Sequence, residues 1–406
     1  MLKMKKCKIS FRLVCLLAIA IFMLGQSTFA DSKSPDFQLI SSMEDGWQNM
    51  YQIGDFQYDF RDAAEGRGSL VLIPDNRDGF AGIQAMCQPT NLLYNGIRFY
   101  VKSDHWESVS TLGVAFHTYN DWQDYYIVDA VGNLFNKPNN EWIEVILSPS
   151  AFTKTGNPTW QSISKITFRL DVSPGQSCQV KIDGLESFFS VNPSAVSIVF
   201  DDGQLESYRA KSIMDEAGVA GTLFVIPELL GEPGFLNQYW IDFFHASGWD
   251  IGGHNWQVLP DLSPEELHQV FKATKDYLTT HQYKGRDLYA IPYGLYNKQV
   301  IEIGSQYFTW LRPNDNMNQP SGYISPCRIN SRIVSQFTPV EEVLHWIDLA
   351  KENNDWLILV FHRIVDRCEY DTDYTEKDFQ EIIQYSQKKD IDILPMSDYL
   401  KQYNQH

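Results

Sequence analysis

The stretch Ser197-Ile-Val-Phe-Asp-Asp-Gly-Gln204 ends an apolar run on two adjacent carboxylates and then a glycine. A short apolar run closed by a turn residue predicts a buried strand. Asp201 and Asp202 would stand at its end, where the pleat sends neighbouring side chains in different directions. One acid could then hold a cation while the other takes up a proton.

Downstream of this strand the texture repeats. Apolar runs at 221–227, 288–292, 307–311, 329–334, 356–361 and 391–395 alternate with polar, helix-like segments. Two of those segments open alike, Ser263-Pro-Glu-Glu and Thr338-Pro-Val-Glu-Glu, with a capping residue, a proline and early acids. They predict helices over 263–280 and 338–353. Strand and helix in alternation predict a parallel, barrel-like α/β domain, whose functional residues sit where strands end. Three more apolar approaches end on chemistry-bearing residues: Trp249-Asp-Ile-Gly-Gly-His254, Ala290-Ile-Pro-Tyr-Gly294 and Leu359-Val-Phe-His362.

Upstream the period is different. Gly96-Ile-Arg-Phe-Tyr-Val-Lys102, Ile143-Glu-Val-Ile-Leu147 and Lys165-Ile-Thr-Phe-Arg-Leu170 alternate apolar and polar residues between Asn, Gly, Pro and Asp. This predicts an all-β antiparallel sandwich. Together with Trp160-Gln-Ser-Ile-Ser-Lys-Ile-Thr-Phe168 and Val180-Lys-Ile-Asp-Gly-Leu185, the pattern resembles the jelly-roll, galactose-binding-like modules attached to secreted glycan enzymes. Trp106, Trp122, Tyr125 and Tyr126 offer flat faces of the kind that stack on sugar rings, or else pack the sandwich.

The ends and the charge narrow the setting. Lys3, Lys5, Lys6, Lys8 and Arg12 precede the apolar run Leu13 to Leu24, and small residues follow up to Ala30, the order of a secretory signal peptide over 1–30. That run falls short of the about 20 residues that span a bilayer, and no later segment is long enough. The expected division is a signal peptide at 1–30, the sandwich at 31–190 and the barrel at 191–406, in a secreted or cell-envelope protein with no membrane span after cleavage. Without the leader the chain has 28 basic and 51 acidic residues, a formal charge of −23. Nucleic acid is excluded as a partner on that charge. An oxidising compartment would allow Cys87 to pair with Cys178 and Cys327 with Cys368, the alternative being four free thiols.

At the four strand ends the chain resembles the polysaccharide deacetylase family, metal-dependent hydrolases of non-peptide carbon–nitrogen bonds that remove acetyl groups from N-acetylhexosamine polymers. Val199-Phe-Asp-Asp-Gly203 is similar to the family's first motif, which implies Asp201 as catalytic base and Asp202 as metal ligand. Ile251-Gly-Gly-His254 matches the start of the second and implies His254 as metal ligand. Pro292-Tyr-Gly294 matches the third, whose tyrosine amide, here that of Tyr293, binds the oxyanion. Leu359-Val-Phe-His362 matches the last and implies His362 as the acid that protonates the leaving amine. The resemblance implies a divalent metal, zinc by family habit, and a polysaccharide substrate.

Two departures stand out. The family's second metal-binding histidine would fall at Val258 or Leu259, leaving Asn255 or Gln257 as substitute donors. Catalytic zinc generally keeps three protein ligands. The arginine that precedes the third-motif proline and orients the base is replaced by Ala290, while Arg312 falls near another position of the family pattern, as a substrate-binding or oxyanion residue. A glycan-binding protein on the same fold, without catalysis, is therefore the second reading.

Overall fold

The computed structural model describes residues 36–403 apart from 51, 52, 76, 77, 133, 135 and 191. The expected leader lies outside the described residues. The described residues form one compact unit.

The first part of that unit is two six-stranded sheets face to face. One runs Asp55–Asp59, Ser69–Ile73, Val180–Phe189, Asn95–Ser103, Ile143–Leu147, with Gln38–Ser41 paired to Val180–Phe189. The other runs Thr153–Thr155, Tyr125–Asp129, Val109–His117, Ile163–Val172, Phe80–Thr90, Gln48–Asn49. Neighbouring strands are antiparallel throughout. The period of two does the sorting: along Ile163–Val172 the side chains of Ile166, Phe168 and Leu170 enter the core, where Phe168 meets Phe99 and Trp47 edge-on. Each such side chain contributes about 1.5–3 kcal/mol by leaving water.

The second part is a curled, mostly parallel sheet in the order Trp310–Arg312, Leu288–Ala290, Asp250–Gly253, Thr222–Val225, Ala195–Phe200, Asp355–Phe361, Gln319–Pro320. Only Gln319–Pro320 runs antiparallel. The two ends of this path are not hydrogen-bonded to each other, so the (β/α) barrel is open and distorted. The central strands are apolar on both faces because helices cover one side and the barrel interior the other; Ala195–Phe200 and Asp355–Phe361 are buried at every residue.

Helix starts show how far local signals reach. Ser263 caps Pro264–Thr280 with a full capping box: its hydroxyl accepts from the Glu266 amide at 3.3 Å, and the Glu266 carboxylate accepts from the Ser263 amide at 2.9 Å. The matching Thr338 does not cap. Its hydroxyl accepts from the Ser335 amide at 3.2 Å, and the helix Val340–Asn353 begins after Pro339 without a side-chain cap.

The expected disulfides are absent: Cys87, Cys178, Cys327 and Cys368 are all free. The sandwich register explains the first pair. Phe80 faces Asp171 at one end of the sheet, and Cys178 follows in the loop beyond Val172, whereas Cys87 sits beside the Met86–Lys165 pair. Seven residues of strand put about 20 Å between the two ends, against the ~7 Å that a disulfide tolerates between α-carbons. Cys327 feels the charge of Glu144, while Cys368 lies by Asp373 and Asp378. Burial pushes all four thiols up, Cys178 to about 11, which disfavours the thiolate.

Candidate active site

The register of the parallel strands gathers the predicted residues. Ala195 to Phe200 pair in step with Trp356 to Phe361, so the next residues, Asp201 and His362, leave adjacent strands side by side. The Asp201 amide still bonds to the Phe361 carbonyl at 3.0 Å. His254 follows Asp250–Gly253, and Tyr293 follows Leu288–Ala290. Asp201, Asp202, His254, Tyr293 and His362 all line one cavity of about 440 Å³.

The pleat argument fails for the two aspartates. Asp202 has φ 70°, left-handed backbone that an aspartate adopts at a cost of about 1–3 kcal/mol, and Gly203 follows at φ 71°. The left-handed turn brings both carboxylates to the same cavity.

Asp201 is buried and its charge is met by Arg312, also buried, whose Nη2 donates to both carboxylate oxygens at 2.7 and 2.6 Å. Arg312 is held in turn by the Asn314 side chain and by Ser331 Oγ at 3.4 Å. Ala290 and Arg312 are direct partners in the sheet, so the guanidinium reaches Asp201 from the strand beside position 290. Arg312 is spent on Asp201 from behind and is not among the residues that line the cavity.

Asp202 and His254 form the second pair. His254 Nδ1 donates to the Ala290 carbonyl at 2.8 Å, which points Nε2 at Asp202 Oδ1, 3.3 Å away. Burial disfavours both charges, yet here it loses. The Asp202 carboxyl is held at about 2 by the hydrogen bond and charge of His254, with His362 and Gln204 assisting. The His254 imidazole is raised by the same hydrogen bond and by the charges of Asp201 and Asp202. With Nδ1–H committed to a carbonyl, a lone pair on Nε2 would face a carboxylate, so a positive charge belongs between them. A proton or a divalent cation fits that place, and a ligating histidine tied back through its other nitrogen has this arrangement.

The donor set stops at two. No group of three His, Cys, Asp or Glu side chains that could hold a metal occurs among the described residues. Leu259 is packed in the barrel core, turned from the cavity. Asn255 lines the cavity, but its side-chain oxygen accepts from the Gln257 amide at 2.7 Å.

The remaining walls are legible only in part. His362 has a buried Nδ1 without a hydrogen-bond partner. Tyr293, at φ 55°, stands in a tight turn closed by the amides of Gly294 and Leu295, which leaves its own amide unused by that turn. Its hydroxyl donates to the Trp256 carbonyl at 3.0 Å, and Trp256 and Tyr293 are each 56 % exposed at the cavity. Trp256, Asn314, Phe235 and Thr372 were not anticipated. Trp256 could have been, as a large apolar residue two places after His254 in a polar loop.

Residues 190–307 match the polysaccharide deacetylase family. The match covers the first three motifs and ends before Arg312 and His362, so their place in the site rests on the geometry above. No curated protein matches the chain. Among solved structures, the Xyl-CE4 domain of a multidomain xylanase from the hindgut metagenome of Trinervitermes trinervoides is similar at 13 % identity, over 52 % of this chain and 91 % of that one, with a TM-score of 0.39. The peptidoglycan deacetylase PdaC from Bacillus subtilis is similar at 18 % identity, over 52 % and 91 %, with a TM-score of 0.33. A family 11 carbohydrate-binding module from Clostridium thermocellum, in complex with a β-1,3-1,4-mixed-linked tetrasaccharide, aligns at 12 % identity over 38 % and 95 %, with a TM-score of 0.30.

In the sandwich, the four aromatic residues separate. Trp106 is buried in the core, and Tyr126 stacks on Trp160 at 4.1 Å with its hydroxyl bonded to the Pro158 carbonyl. Trp122 is 43 % exposed and packs with Tyr125 around His117. Of the four, Trp122 is the exposed one, with Tyr125 half-buried beside it. Among the described residues no helix is long and apolar enough to cross a membrane.

Proposed function

We propose that the chain is a polysaccharide N-deacetylase that hydrolyses acetyl groups from an N-acetylhexosamine polymer outside the cytoplasm. Residues 191–406 would carry the reaction, and 31–190 would act as a glycan-binding module through Trp122 and Tyr125. The observation that carries this reading is the Asp201–Arg312 pair beside the Asp202–His254 pair in one cavity. A buried carboxylate held by a guanidinium is a fixed base rather than a mobile surface acid.

Asp201 would take the proton of the attacking water, with Arg312 fixing its direction. Asp202 and His254 would hold a divalent cation, zinc by their oxygen and nitrogen donors. Bound there, it would polarise the amide carbonyl and acidify water. The Tyr293 amide would donate to the oxygen that becomes negative, and His362 would protonate the departing amine. Trp256 and Tyr293 would hold the apolar faces of sugar rings.

The shortage of a third donor favours one alternative, a protein that binds glycan without cleaving it. Acetate release from N-acetylglucosamine oligomers, with excess zinc, cobalt or nickel, separates the two. Asp201→Asn should lower turnover roughly 100-fold or more with little change in binding, and His362→Ala should do likewise. Equal rates in wild type and both folded variants would remove these residues from the mechanism, and binding without any acetate release would establish the alternative.

A further inference from the structure

A second cavity, of about 470 Å³, lies between the sandwich and the barrel. One wall comes from the sandwich strand end around Trp142, the other from the segment that follows the Tyr293 turn, including Tyr296. The size is that of small-molecule sites, about 300–1,000 Å³.

We propose that this cleft is a second saccharide-binding site, separate from the catalytic cavity. Two buried polar groups point to a ligand. The Arg328 side chain is 7 % exposed and spends Nε on Asp315 at 2.7 Å, while its Nη2 has no hydrogen-bond partner. The Tyr296 hydroxyl is likewise buried without one. Both residues line the cleft. A native interior seldom leaves such groups unmatched.

The charges decide the class of ligand. Glu141, Glu144 and Glu302 line the cleft together with Lys102, Lys298 and Arg328, three acids and three bases. An anion would meet the acids and a cation the bases. A hydroxyl both donates and accepts, so a neutral ring rich in hydroxyls can satisfy alternating carboxylates and cations at once. The Trp142 ring supplies a flat apolar wall, and its Nε1 donates to Asp62 at 3.0 Å, which fixes its orientation. A polymer lying across both cavities would be held at two places, the loop 292–298 serving each from one side.

The test uses the full chain carrying His254→Ala and Trp256→Ala, which remove a cation donor and a sugar platform from the catalytic cavity, and an N-acetylglucosamine tetrasaccharide as probe, followed by calorimetry. We expect this chain to bind the probe. Adding Trp142→Ala should weaken binding roughly tenfold through loss of the stacking wall. Glu302→Lys, at a side chain 62 % exposed, should weaken it without disturbing the fold, and it decides the matter should Trp142→Ala unfold. Absence of binding by that background chain, or binding unaltered by the cleft substitutions, whether or not it is lost in Trp122→Ala, would overturn the proposal.

Discussion

Asp201 and Asp355 are both buried aspartates on neighbouring strands of the same sheet, one just past a strand's end and the other at a strand's start. Asp201 meets a guanidinium. Asp355 meets only neutral donors: the Ser148 hydroxyl at 2.7 Å from each oxygen, the Ser150 hydroxyl at 2.6 Å and the Asn318 amide at 3.3 Å. Burial therefore dominates at Asp355 and pushes its carboxyl up to about 7, against the pull of the two serines, Asn318 and the charge of Arg332. The strand-end acid is paired with a buried cation, and the strand-start acid joins the barrel to the sandwich through neutral hydroxyl and amide donors.

The largest effect should come from removing the cation. Arg312→Met leaves the Asp201 charge buried without its partner, which should destabilise the protein by about 3–5 kcal/mol in urea titrations and abolish turnover. The double variant Arg312→Met, Asp201→Asn should recover much of that stability, because the buried group is then neutral. No recovery would mean that Arg312 acts through packing, over Phe224 for example, rather than through charge.

At Asp355 the comparison makes a prediction of opposite kind. Its folded-state carboxyl lies above the ordinary value of 3.8, so the folded protein binds the proton that the unfolded chain has released. That contribution is fully present below about pH 4 and is lost as pH rises through about 7. A shift of this size corresponds to at most about 4 kcal/mol. Asp355→Asn should flatten the stability profile between pH 4.5 and 7.5 relative to wild type, as measured by urea midpoints at both values. Identical slopes in the two proteins would show that Asp355 is ionised throughout.

The same contrast explains what could be read in advance. Strand ends were legible at 201, 254, 293 and 362 because apolar runs and their punctuation are local, and so was the barrel they imply. The partner of Asp201 was not, since it depends on the register that sets Ala290 beside Arg312 across two strands far apart in sequence. The shared direction of Asp201 and Asp202 was misjudged because a left-handed residue breaks the pleat rule. Ser148, Ser150 and Asp355 carry no local signal at all; hydroxyls and an acid more than two hundred residues apart meet only where the sandwich closes on the barrel. Cysteine parity misled for the same reason, as distance across a sheet is not written in spacing.

The smallest effect is also the most discriminating. The Ser150 hydroxyl donates to Asp355 at 2.6 Å and lies 2.8 Å from Ser148 Oγ. Ser150→Ala removes a donor that matters most to the carboxylate form, so it should cost about 1–2 kcal/mol above pH 7. Below pH 5 the carboxyl is protonated in the folded state and can itself donate to Ser148, so the cost there should fall to a few tenths of that. The measurement is the difference in unfolding free energy between wild type and variant at the two pH values, with Asp355→Asn as background control. In that background Ser150→Ala should show one cost at both values. A pH-independent cost in the wild-type background would mean that Ser150 only packs the seam, and the distinction between the charged and the proton-bearing aspartate would then rest on Asp355 alone.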